Sequence, residues 1–146
     1  MKKVVLIGCV KFSECVLQEI VDKNLCNLVG VCTRTQSSIN SDAHDLTPTC
    51  NQNNIDVLYV DNINSISSIN WISDKKPDII LCVGWSRLLS SEVLAIAKER
   101  CIGFHPSLLP QNRGRHPLIW SLALGLDKIG TSFFEMTEEP DSGTIV

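Results

Sequence analysis

The segment His105-Pro-Ser-Leu-Leu-Pro-Gln-Asn-Arg-Gly-Arg-His-Pro117 is the part of this chain whose residue types most plainly prepare for chemistry. Prolines 106, 110 and 117 and Gly114 fix a loop that is stiffer than a mere connector needs to be, and a stiff loop holds a side chain in place. His105 stands just past an apolar run, where burial beside a carboxylate would tune an imidazole for proton transfer near neutral pH. The plainer reading is a histidine hydrogen-bonded at a strand end. Asp141 follows Pro140 and precedes Ser142-Gly143, a sequence that by itself reads equally well as an ordinary Asx turn.

Other chemistries find little support. The first loop, Gly8-Cys-Val-Lys-Phe-Ser13, has one glycine where G-x-G-x-x-G needs three, and no G-x-x-x-x-G-K-[ST] occurs, so neither dinucleotide nor P-loop phosphate binding is provided for. The seven cysteines form no C-x-x-C pair, and most sit in apolar runs such as Val-Gly-Val-Cys32 and Ile-Ile-Leu-Cys82. They read as small buried hydrophobes in a reducing compartment, with neither a metal site nor a disulfide framework. With a net charge of −3 the chain offers no basic field for a nucleic acid. The basic-then-apolar start is too short for a signal peptide and no membrane-length apolar run follows, so a cytoplasmic protein without membrane contact is expected.

The elements that must position these residues follow from periodicity. Val4–Ile7 reads as a strand ending at Gly8, and Phe12, Val16, Leu17, Ile20 and Val21 have helical spacing. Leu28–Cys32 reads as a second strand, and the polar stretch Thr33–Asn54 as a surface loop with one short helix. Val57–Val60 is a third strand and Ile66–Ser73 a short helix; Ile79–Val83, the most apolar run, is expected at the centre of the sheet. Ser90-Ser-Glu-Val has the composition of a capped helix start, predicting a helix to about Arg100. A strand over Cys101–His105, a helix over Leu118–Leu124 and a strand over Thr131–Met136 complete the pattern. Strands and helices alternating in this way predict one α/β domain with a mostly parallel sheet and helices on both faces. In such sheets ligands bind beyond the carboxyl ends of the strands, where His105 stands.

These residues carry a resemblance. Cys101–Val146 resembles the folate-dependent N-formyltransferases, which include glycinamide ribonucleotide, methionyl-tRNA and nucleotide-sugar formyltransferases. Their H-P-S-L-L-P, R-G, Pro before a Trp-containing helix, G-x-T and D-x-G-x-I motifs have counterparts here in order as His105–Pro110, Arg113-Gly114, Pro117 with Trp120, Gly130-Thr131 as a shorter G-T, and Asp141–Ile145. Upstream, Gly84-Trp-Ser-Arg-Leu-Leu89 and Gly8 with Phe12-Ser13 are similar to two further loops of that family.

The resemblance implies a Rossmann-like formyltransferase fold and transfer of a formyl group from 10-formyltetrahydrofolate to a primary amine, without a metal. By it, His105 donates to the developing oxyanion or shuttles the amine proton, and Asp141 orients the imidazole or holds a relaying water. Trp85, Arg87, Leu88 and Leu89 would line the pterin on one side and Glu139 and Asp141 on the other. Gly8, Phe12, Ser13, Ser107, Arg113, Gly114 and Arg115 would contact the acceptor. The R-G-R-H-P run after the loop resembles the sugar-modifying branch, so a nucleotide-linked amino sugar is the expected acceptor, with glycinamide ribonucleotide or methionyl-tRNA as alternatives and a homodimer as a possible assembly.

One position departs from the family pattern. The family reads N-x-H-P, whereas Gly103 stands here two residues before His105. Alternation along a strand puts both on one face, so the sequence predicts a gap where an oxyanion donor would point. Asn112 or Ser107 fills that role, or His105 acts alone, or the chain is a non-catalytic folate- or nucleotide-binding remnant. Residues 1–146 are expected to be an N-terminal catalytic domain truncated after D-x-G-x-I, with Gly143–Val146 opening a further strand.

Overall fold

Aliphatic runs with no polar alternation build the middle of the sheet, because a strand covered on both faces has no side to give to water. Val4, Val5, Leu6 and Ile7 are all buried. The structure, a computed structural model that describes residues 1–34 and 42–146, orders the elements as β1 (Lys3–Ile7), α1 (Lys11–Lys23), β2 (Asn27–Thr33), α2 (Thr47–Gln52), β3 (Val57–Tyr59) and α3 (Ile66–Lys75). They continue as β4 (Ile79–Cys82), α4 (Ser91–Leu94), β5 (Arg100–His105), α5 (Pro117–Ala123) and β6 (Ser132–Glu135). Part of the loop expected over Thr33–Asn54 lies outside the described residues; α2 is the short helix expected within it.

The sheet runs β3-β2-β1-β4-β5-β6. All neighbours are parallel except β5 and β6, which are antiparallel with His105 opposite Ser132 and Gly103 opposite Phe134. β1 and β4 share the centre, as the composition of Ile79–Val83 led one to expect. Alternation along β1 divides the core: Val5 and Ile7 join Ile63, Ile72, Ile80, Cys82 and Val93 on one face, and Leu6 joins Leu17, Val31, Leu46 and Cys50 on the other.

The predicted helix to Arg100 is much shorter than expected. α4 is capped by Ser90, whose hydroxyl accepts from the Val93 N–H, but it stops at Leu94. The amide groups of Lys98 and Glu99 donate instead to the carbonyls of Pro77 and Asp78, at 3.2 and 2.9 Å, and the chain enters β5 already aligned with β4. Tertiary pairing to the start of β4 outcompetes helix propagation here.

The C-terminal residues do pair with the sheet. The Glu135 N–H donates to the Thr144 carbonyl at 2.8 Å and the Val146 N–H to the Phe133 carbonyl at 2.9 Å, with Ile145 bridged to Phe134. α5 starts with Pro117 in its first turn and buries only Pro117 and Ser121, leaving Leu118, Ile119, Trp120 and Leu122 exposed.

Candidate active site

β5 delivers His105 to the carboxyl end of the parallel strands, as the sequence predicts, and buries the ring. Its Nε2 lies 2.9 Å from the carbonyl oxygen of Asn112. A carbonyl only accepts, so the contact is a hydrogen bond when Nε2 carries the hydrogen. Nδ1 faces Oδ1 of Asp141 at 3.6 Å, beyond direct hydrogen-bond length but close enough for charge to be felt. The other carboxylate oxygen of Asp141 accepts from the Gly114 N–H at 3.0 Å. One short stretch of loop, residues 112–114, therefore touches both members of the pair.

Local conformation explains how that stretch is held. Asn112, Gly114 and His116 all have left-handed backbones, with φ of 54°, 96° and 57°. Below them, the Ser107 hydroxyl donates to the Gln111 carbonyl at 2.8 Å. Ser132, opposite His105 in the ladder, donates its hydroxyl to the Ser107 carbonyl at 2.7 Å and accepts from the Leu109 N–H at 3.0 Å. Asp141 is itself left-handed, with φ of 53°. Its loop is anchored where Gly143 meets β6: a Cβ there would lie 1.6 Å from the Glu135 carbonyl oxygen, so glycine alone permits the approach.

Gly103 requires a correction. It shares a buried face with His105, but the space above it is no gap: a Cβ at 103 would meet Phe134 Cζ at 2.8 Å and Met136 Cγ at 2.9 Å. Phe134, 4% exposed, fills the position from the neighbouring strand. Nor does Ser107 offer a free donor, since its hydroxyl hydrogen serves the loop. Asn112 does reach His105, but through its main-chain carbonyl, which is an acceptor.

The remaining sequence candidates divide by exposure. Gly8 lies where β1 meets the end of β4, and a Cβ there would be 2.4 Å from the Val83 carbonyl. Ser13 is fully buried; its hydroxyl donates to that same carbonyl at 2.6 Å and accepts from the Val10 N–H at 3.2 Å, bracing the loop and the start of α1. Phe12 is exposed and tilts against Phe104 with ring centroids 4.5 Å apart. After the left-handed Gly84, Trp85 packs on the core and its indole N–H is buried without a hydrogen-bond partner among the described residues. Arg87 donates to the Asp61 carbonyl at 2.7 Å, Leu88 is exposed and Leu89 belongs to the core. Glu139 is exposed and its carbonyl receives the Thr137 and Ser142 hydroxyls. Arg113 and Arg115 are exposed on the loop, with no ion pair among the described residues.

Four of the seven cysteines are buried as the sequence predicts, whereas Cys9 and Cys26 are half-buried and Cys15 is exposed. Burial pushes the Cys32, Cys50 and Cys101 thiols up to about 12, and raises Cys82 further, which removes them as nucleophiles at neutral pH.

Comparison with known proteins decides what this arrangement belongs to. The formyl transferase family model matches residues 2–146. The chain belongs to the formyl transferase family. A methionyl-tRNA formyltransferase of Thermotoga neapolitana is 29% identical over 98% of this chain and 47% of its own length. The bifunctional polymyxin resistance protein ArnA of Wigglesworthia glossinidia brevipalpis is 39% identical over 92 residues, 63% of this chain and 14% of that protein. Among solved structures, a phosphoribosylglycinamide formyltransferase from Bacillus halodurans superposes with a TM-score of 0.82 at 18% identity, covering 99% of this chain and 77% of its own. The chain thus has the formyltransferase fold and spans about half the length of the curated full-length methionyl-tRNA formyltransferases it matches. Asn112, Gly114 and Ser132 were not singled out from the sequence for the contacts they make. The signal that existed was the Asn-Arg-Gly-Arg-His order, rich in residues that tolerate a left-handed backbone.

Proposed function

We propose that this chain transfers a formyl group from 10-formyltetrahydrofolate to a primary amine, with His105 moving the amine proton and Asp141 steadying it. The observation that carries the reading is the approach of His105 Nδ1 to Asp141 Oδ1 at 3.6 Å at the carboxyl end of the sheet. A neutral amine attacks the formyl carbon, the new C–N bond forms and the carbonyl electron pair moves to oxygen. The amine proton passes to the imidazole; collapse of the tetrahedral intermediate then breaks the bond to the folate nitrogen, which receives that proton. A non-catalytic remnant is disfavoured, because both members of the pair are present and brought together.

Donor binding is supported by the unsatisfied indole N–H of Trp85. A buried donor without an acceptor costs about 1–3 kcal/mol, and the acceptor atoms of a pterin ring would relieve that cost. Leu88, exposed three residues further on, offers an apolar edge for the same flat ring.

For the acceptor we favour a nucleotide-linked amino sugar. Arg113 and Arg115 stand exposed on the loop that touches the pair and would face the phosphates of such a molecule. The methionyl-tRNA formyltransferase relatives support a second reading, in which the amine is that of an aminoacyl-tRNA. The test is incubation with 10-formyltetrahydrofolate and three acceptors in parallel: a nucleotide-linked amino sugar, glycinamide ribonucleotide and methionyl-tRNA. Formylation of the sugar alone, read by mass, supports the favoured acceptor, and formylation of another amine replaces it. Folded protein that formylates none of them, and binds no reduced folate, overturns the assignment.

A further inference from the structure

The contact between Asn112 and His105 has a chemical direction. A neutral imidazole carries one hydrogen, and a carbonyl at 2.9 Å from Nε2 draws it to that nitrogen. Nδ1 is then the bare nitrogen, and it is the one that faces Asp141. The carbonyl is no chance neighbour. Its residue has a left-handed backbone with φ of 54°, which asparagine and glycine accept and a β-branched residue does not. Ser107, through the Gln111 carbonyl, and Gly114, through Asp141, fix the chain on either side of it.

We infer that Asn112 is a positioning residue: its main-chain carbonyl holds His105 as the Nε2–H tautomer, so that Nδ1, beside Asp141, is the nitrogen that takes the proton of the acceptor amine. This rests on the proposed formyl transfer and specifies which atom of the site performs its proton step. The proton arriving on Nδ1 lies next to a carboxylate: the imidazolium so formed keeps its Nε2–H on the Asn112 carbonyl and has its Nδ1–H facing Asp141 Oδ1 at 3.6 Å, within reach of its charge. When the folate nitrogen departs, Nδ1 gives the proton up and the resting tautomer returns. The ring neither flips nor exchanges partners during the cycle. A tautomer with the hydrogen on Nδ1 would set a bare Nε2 against the carbonyl oxygen at 2.9 Å, closer than the 3.6 Å at which the bare Nδ1 of the resting tautomer faces Asp141, and would have no base to offer at Nδ1.

The experiment is long-range proton–nitrogen correlation NMR on protein labelled with ¹⁵N-histidine, with His105 assigned by its disappearance in His105→Ala. In the native chain at a pH where the ring is neutral, the hydrogen is expected on Nε2. Asn112→Val should mix the tautomers and lower kcat roughly 10²-fold with little change in KM, as misplacement of a catalytic group does. Asn112→Gly, which accepts the same backbone, should restore most of both. A native His105 with its hydrogen on Nδ1 overturns the inference, whether or not either Asn112 variant folds. So does a folded Asn112→Val protein with native tautomer and rate. The tautomer is read without substrate, so a chain that shows the Nε2–H form but formylates no amine refutes the proposed function and leaves the lock in place.

Discussion

His105 Nδ1 and Asp141 Oδ1 stand 3.6 Å apart, a pair assembled from the end of β5 and the loop that follows β6. In the proposed transfer the aspartate acts through the histidine, so the two should fail together. His105→Ala is expected to lower kcat by about 10²–10⁴, and Asp141→Asn by a similar factor, while affinity for the folate donor changes little. The double variant should be scarcely slower than either single one. A double-mutant cycle on kcat, with thermal melts as the folding control, checks this; additive losses would show that the two residues act independently.

Filling the position beside the histidine should harm the fold. Gly103→Asn must push aside Phe134 and Met136, whose atoms already lie 2.8–2.9 Å from where a Cβ would stand. The cost is expected at about 1–3 kcal/mol, seen as a lower melting temperature, and Phe134→Ala in the same chain should recover part of it. A Gly103→Asn protein as stable as the native one would mean that Phe134 is free to move.

Gly143 is less forgiving, because the atom in the way is backbone. Gly143→Ala places a methyl group 1.6 Å from the Glu135 carbonyl oxygen, and only a shift of the Asp141 loop or of β6 relieves it. We expect a loss of at least about 1–3 kcal/mol together with a fall in kcat, from melts and transfer rates on the same sample. Retention of native stability and rate would refute the close approach.

A carboxylate at the opposite end of the sheet supplies a prediction in pH. Asp78 accepts from the Lys3 N–H at 2.8 Å, and chiefly for that reason, with help from Lys98, its carboxyl lies below the usual carboxylate range. A carboxyl depressed in the folded state stabilises at pH values above its unfolded pKa of about 4 and loses that contribution as pH falls through the folded value. Asp78→Asn should therefore melt lower than the native chain from neutral pH down to about 5, and the difference should close below about pH 4. A gap that stays constant to strong acid would assign the effect to packing.

The sheet was legible because its information is local. Val4–Ile7 and Ile79–Val83 are apolar without alternation, and only strands covered on both sides suit them. His105 and Asp141 were legible through motif order. The helix ending was not, because Lys98 and Glu99 obey carbonyls of Pro77 and Asp78 that no window around them contains. The filling of the space beside Gly103 was hidden for the same reason: Phe134 arrives from a different strand, and a strand face read alone shows an empty position whether or not a neighbour occupies it. The contact of Asn112 with His105 was harder still, since it uses a main-chain oxygen that every residue type possesses.

The pairing of His105 with Ser132 across β5 and β6 means that residues 106–131 leave the sheet and return to it at a single rung. An excursion anchored in this way can be lengthened or exchanged at small entropic cost, about 0.6 kcal/mol for each doubling of its length, while the ladder beneath it stays unchanged. Arg113, Arg115 and the exposed face of α5 all lie on that excursion. On the acceptor reading proposed above, descent with modification can redesign acceptor choice by rewriting one interval of the gene, and recombination between relatives at those two boundaries is a direct way to transplant it.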